Sequence, residues 1–161
     1  MELLKFPHPN LFAVCKEVTV FDEKLGIILN DMWDIMLKKG GIGLAANQVG
    51  LDIRAFVMAG SDSEKIFFVN PKVIKKSEVS ANMDEGCLSS PGEFLRLRDR
   101  PAWVQVEYQD HKGNHQSKVF MEIRSVAVMH ELDHLNGICF MENKTIPRPI
   151  RKQLAKKWGL K

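Results

Sequence analysis

The five residues His130-Glu131-Leu132-Asp133-His134 constrain this chain more than any other part of it. Side chains four apart share one face of an α-helix, so His130 and His134 can hold one ion if the segment is helical. Glu131 then stands about 100° further round the helix. From there it reaches a water beside the ion without becoming a ligand. A divalent ion acidifies such a water, and a carboxylate can carry its proton. The bland alternative is two surface histidines on an amphipathic helix. Against it, Ile123, Val126, Ala127 and His130 fall on one stripe and give the helix an apolar flank. The helix is expected over residues 123–136, with Gly137 as its stop.

Two histidines leave the site incomplete, and the third ligand decides its class. A metzincin continues with glycine and a third histidine. Gly137 fits that pattern, but Phe140 occupies the histidine position. A thermolysin-like site needs a glutamate from a later helix, and Glu142 is too close to His134 to supply it. The third ligand is therefore expected upstream, among His8, Cys15, Cys87, His111 and His115. His111 and His115 flank a turn and are expected at the surface, while Cys15 reads as a packing residue. Cys87 lies in Glu85-Gly86-Cys87-Leu88-Ser89-Ser90-Pro91-Gly92, whose glycines and proline allow a close backbone approach. A thiolate with two imidazoles and one open position is a catalytic set. A small buried residue is the commoner fate of a lone cysteine, and that reading is kept for Cys139.

Elsewhere the pattern is of an α+β chain, with antiparallel β-sheets packed around the metal-binding helix. Residues 5–20 read as an irregular arm. Asp22 caps a helix over about 23–39, with Leu25, Ile28, Leu29, Met32, Ile35 and Met36 at helical spacing and Gly40-Gly41 at its end. Strands are expected at Ile53–Met58, Ile66–Val69 and Lys72–Val79, and a hairpin at Trp103–Tyr108 and His115–Phe120. The 161 residues suit one catalytic domain, 1–161, ending in a short basic tail, 148–161, that begins a helix after Pro147 or Pro149. No apolar run reaches the roughly 20 residues of a membrane span. The first residues lack the apolar stretch of a secretion signal, so a cytoplasmic protein is expected. Three cysteines do not make a disulfide framework, and a net charge of +3 does not by itself imply nucleic acid; no DNA and no membrane partner is expected.

Three segments together resemble one family. Gly41-Ile42-Gly43-Leu44-Ala45-Ala46-Asn47-Gln48, Glu85-Gly86-Cys87-Leu88-Ser89 and the His130–His134 helix are similar, in order and spacing, to the three motifs of the peptide deformylases. The likeness runs from the arm to about Met141, and the absence of long insertions resembles the type of Gram-negative bacteria and organelles. It implies hydrolysis of the N-formyl group from formyl-methionine at the start of nascent polypeptides, with release of formate. It also implies one divalent metal held by Cys87, His130 and His134: ferrous iron natively, with zinc, nickel or cobalt able to replace it. Glu131 becomes the general base and then acid, and Gln48 with the backbone N–H of Leu88 the oxyanion hole. Ile42, Gly43, Gly86, Val126 and Ala127 are expected to bind the substrate, Gly41 and Gly43 letting a peptide lie close to the backbone. Arg100 matches a family arginine that pairs with Asp133. Phe94 and Leu95 stand where some members carry an arginine that contacts the peptide. The partners implied are N-formyl-Met peptides and, through the basic tail, the ribosome; a monomer is expected. An endopeptidase, a closed structural metal site and an RNA-binding module are the competing functions. The first lacks its downstream ligand, the second a fourth protein ligand, and the third any signature outside the tail.

Overall fold

In the computed structural model, which describes residues 1–159, the chain runs through α1 (Glu23–Lys38), β1 (Gly43–Ala45), β2 (Ala55–Ala59), β3 (Lys65–Lys76), β4 (Asp84–Cys87), β5 (Ser90–Arg96), β6 (Trp103–Gln109), β7 (His115–Met121), α2 (Glu122–Leu135) and α3 (Arg148–Trp158). Leu160 and Lys161, the end of the expected tail, lie outside the described residues. Five strands form one antiparallel sheet in the order β1-β2-β3-β6-β7, and β4 pairs with β5 in a separate antiparallel unit. The α+β class with antiparallel sheets around the histidine helix is the one observed.

Local signals account for the helix ends. The Asp22 carboxylate accepts the Leu25 N–H at 2.9 Å, which caps α1. At its other end the Gly40 and Gly41 N–H groups donate to the Leu37 and Met36 carbonyls, closing the last turn. Helix α1 packs Leu25, Leu29, Met32 and Met36 on Ala55, Val57 and Val69 of the sheet. The opposite face carries Phe56, Met58, Phe68 and Phe120 against Val128, Leu132 and Leu135 of α2. Strand β2 is thus covered on both faces, which is why Ala55–Met58 is continuously apolar rather than alternating. Each such side chain, fully buried, contributes about 1.5–3 kcal/mol. Phe6, Leu11, Leu97, Phe140 and Leu154 form a third cluster, where the arm meets α3. Helix α2 thus packs on the large sheet, with Cys87 of β4 and Phe140 against its two histidines.

Two expectations change. The strands placed at Ile66–Val69 and Lys72–Val79 are one strand, β3. Asn70 takes φ +51° and Pro71 has no N–H, so pairing with β6 skips from Val69 to Lys72. The Asn70 side chain pins the bulge to the arm by accepting the Val18 N–H and donating to the Val18 carbonyl, both at 2.8 Å. A pair of residues that reads as a turn is a bulge inside a strand. Strands β1, β4 and β5 were not foreseen, because short glycine-bearing runs such as Asp84-Glu85-Gly86-Cys87 carry no alternating apolar pattern. No helix among the described residues is long and apolar enough to cross a membrane.

Candidate metal centre

Strand β4 brings Cys87 against the buried face of α2. One donor atom each from Cys87, His130 and His134 lies within 4.8 Å of the others. Cys87 Sγ stands 3.2 Å from His134 Nε2. No fourth His, Cys, Asp or Glu joins this group among the described residues. One sulfur and two imidazole nitrogens, buried and converging with one position left open, fit a catalytic divalent metal.

The surroundings orient these donors. His130 Nδ1 lies 3.7 Å from Glu85 Oε1, so its other nitrogen is the one turned to the site. Glu85 in turn accepts two hydrogen bonds from Arg100, from Nε at 2.9 Å and Nη2 at 2.8 Å. Arg100 Nη1 donates to Asp133 Oδ2 at 2.7 Å. The expected Arg100–Asp133 pair is present, and Glu85, to which no role was given from sequence, joins it to His130. Arg100 is only 1% exposed, so its charge is compensated by these two carboxylates rather than by water. The Asn47 amide donates to the His134 carbonyl and ties the end of α2 to the turn after β1. Burial raises the pKa of Glu85, but His130 and Arg100 outweigh it and hold the carboxyl below its ordinary value. Burial lowers the pKa of His134, which favours the neutral, ligating ring.

Glu131 lies beside the metal group and is 4% exposed. Burial pushes its carboxyl up to about 7. Its Oε2 has no hydrogen-bond partner. The carboxylate fits only because residue 43 is glycine, since a β-carbon there would sit 2.5 Å from Glu131 Oε1. Gly43 thus meets the Glu131 side chain as well as lining the cleft.

The Gln48 amide is held at both ends. Its Oε1 accepts the Ala45 N–H at 2.8 Å, and its Nε2 donates to Ser89 Oγ at 3.1 Å and lies 3.6 Å from Cys87 Sγ. An N–H-bearing end is thereby turned toward the sulfur. The Ser89 contact was not anticipated, as a serine after the cysteine carries no distinctive signal.

These groups open on a cleft of about 510 Å³. Gln48, Cys87, Leu88, His130 and Glu131 line it, together with Ile42, Gly43, Gly86, Val126 and Ala127. Of the residues expected at the site, only His134 is absent from the wall; it lies beneath, 1% exposed. Cys15 and Cys139 are buried in apolar clusters and are not among the converging donors, although Cys139 shares its cluster with Cys87. The arrangement presents a donor set fit for a metal, a buried proton carrier and a fixed amide donor to a largely apolar groove. That combination suits hydrolysis of an amide attached to an apolar side chain.

Comparison with known proteins gives the same picture. The profile of the family described as Polypeptide deformylase matches residues 1–148. A peptide deformylase of Pseudomonas aeruginosa is 39% identical over 160 residues, covering 97% of this chain and 95% of the relative. The crystal structure of Arabidopsis thaliana peptide deformylase 1B with an inhibitor superimposes with a TM-score of 0.90 at 32% identity, over 99% of this chain and 88% of that one. A peptide deformylase from Synechococcus elongatus in complex with actinonin also gives 0.90, at 31% identity, over 99% and 86%.

Proposed function

The chain belongs to the polypeptide deformylase family, and from that premise we propose how its own residues divide the work of a metal-dependent peptide deformylase. Such an enzyme hydrolyses the N-formyl group of a formyl-methionyl peptide and releases formate. The observation that carries the assignment of roles is the convergence of Cys87, His130 and His134 beside Glu131 on an open cleft.

Cys87, His130 and His134 would hold the ion, and Cys87 and His130 line the cleft. When bound, the ion supplies Lewis acidity, polarising the formyl carbonyl and lowering the pKa of a water. Glu131 accepts a proton as the water attacks the formyl carbon, then hands it to the departing amine as the C–N bond breaks. The Gln48 amide and the Leu88 N–H stabilise negative charge on the formyl oxygen. Ile42, Val126 and Ala127, with Gly43 and Gly86, receive the methionine. Glu85 keeps His130 in its ligating tautomer, and Arg100 keeps Glu85 charged.

The same reading takes residues 1–161 as one catalytic domain, cytoplasmic and monomeric, with ferrous iron as the native ion. The donors suit zinc, nickel and cobalt as well. It also assigns the exposed Arg148, Lys152 and Lys156 of α3 to ribosomal RNA phosphates. Lys157 is engaged instead with Glu93 of β5.

The test is replacement of Glu131 by Ala. The variant is expected to keep its metal, by elemental analysis after anaerobic purification, and to lose formate release from formyl-Met-Ala-Ser. Deformylation at the parent rate would refute the role given to Glu131.

A further inference from the structure

The charges along the cleft are not balanced. Its wall carries three paired carboxylates, Asp84, Glu85 and Glu93, whose partners are Arg96, Arg100 and Lys157. It also carries Lys5 and Lys39, both exposed, and neither makes an ion pair among the described residues. Lys5 Nζ donates only to a neutral acceptor, the Leu88 carbonyl, at 2.9 Å. Apart from the reacting centre, the groove therefore holds two uncompensated positive charges.

Both lie at one end. Leu88 packs on Gly41, so close that a β-carbon on Gly41 would meet Leu88 Cδ1 at 2.7 Å. Lys39 precedes Gly41 by two residues, and Lys5 reaches the Leu88 carbonyl. Ile123, Val126 and Ala127 of the α2 stripe give the cleft an apolar stretch. Glu131, where the formyl group reacts, stands against Gly43, two residues from Gly41. If the methionine side chain takes the apolar stretch, the rest of the peptide leaves past Gly41 toward the lysines. Along β1 the way beyond Ala45 is blocked, because Leu44 and Ala45 are fully buried, while Ile42 is 41% exposed. At about 3.3 Å per extended residue, the methionine comes level with Ile42 and the second and third residues of the substrate with Gly41 and Gly40.

We propose that Lys5 and Lys39 form a cationic exit to the cleft that selects peptides with an acidic side chain at the second or third residue. This rests on the deformylase reading above. The lysines touch the peptide only after the methionine, so they set which chains bind well and take no part in the proton transfers. Two exposed charges about 6 Å apart in a water-like medium interact enough for a factor of about three. Each lysine both attracts an acid and repels a base. The expected preference for acidic over basic peptides is therefore about tenfold or more at low ionic strength. A solvated lysine that merely complements the C-terminus of α1 would give none.

The experiment compares kcat/KM on three C-terminally amidated peptides, formyl-Met-Ala-Glu-Ala, formyl-Met-Ala-Ser-Ala and formyl-Met-Ala-Lys-Ala, for the metal-loaded enzyme, Lys39→Glu and Lys39→Gln. The parent is expected to favour Glu over Lys about tenfold or more, with the ratio shrinking toward one in 0.5 M salt. Lys39→Gln should reduce the ratio and Lys39→Glu should bring it to about one or invert it. A parent ratio within twofold at low salt, or one unchanged in Lys39→Glu, overturns the proposal. Turnover of the neutral peptide separates this outcome from failure of the deformylase reading, which would show as no formate from any of the three.

Discussion

Replacing Gly43 by Ala tests the site at one methyl group. Gly43 does not occupy the left-handed backbone region, so alanine brings no backbone strain and by itself reduces the entropy of the unfolded chain. Stability should change by less than about 1 kcal/mol. The three atoms nearest the methyl all belong to Glu131. The methyl would stand 2.5 Å from Oε1 and 2.9 Å from both Cδ and Cγ, where ordinary van der Waals contact begins at 3.4 Å. The carboxylate must retreat by about 1 Å, and a displacement of that size in a catalytic group costs about 10²-fold in rate. This corresponds to about 2.7 kcal/mol of transition-state stabilisation. We expect kcat for formate release from formyl-Met-Ala-Ser to fall about 10²-fold, with metal content and the urea midpoint close to those of the parent. A kcat within threefold of the parent, in a folded and metal-loaded variant, would refute the claim that Gly43 is required by Glu131.

Three further changes probe the surroundings. Gln48→Ala should lower kcat about 10²–10³-fold as an oxyanion donor is lost, and an effect confined to KM would remove Gln48 from that role. Arg100→Met strands the buried Glu85 carboxylate without its cation, and should cost about 3–5 kcal/mol in urea unfolding; a loss below about 1 kcal/mol would show that the network is not what ties β4 to α2. Glu85→Gln keeps the shape but removes the charge facing His130, so metal affinity, measured by chelator competition, should fall about 10–100-fold. Unchanged affinity would exclude Glu85 as the group that orients His130.

Much of the fold is legible in the sequence because its signals are local. Asp22, the leucines and methionines of α1, and Gly40-Gly41 specify a helix with both its ends, and α1 spans Glu23–Lys38. The hairpin of β6 and β7 is readable from its alternation and from the turn at His111–Asn114. The bulge at Asn70-Pro71 was not, because the same two residues in isolation signal a turn; only pairing with β6 beyond it shows that the strand goes on. Strand β4 was invisible for a related reason. Its four residues gain their strand geometry from β5 and the wall of the cleft, not from their own pattern.

The sequence by itself determined that His130 and His134 share a helical face with Glu131 a step further round, since that depends only on helical periodicity. Cys87 could be named from its setting and a family likeness, but whether its sulfur meets two imidazoles depends on a contact across 47 residues of chain. The same holds for Glu85, Arg100 and Asp133, whose charges look in the sequence like any solvated surface charges. Packing of β4 against α2 buries Glu85 and Arg100 and partly covers Asp133, so that the arginine finds its partners in these carboxylates rather than in water. Tertiary structure also decided what the small residue at Gly43 is for. Its empty volume is filled by a side chain 88 positions later in the chain, and no local pattern encodes which atom will arrive there.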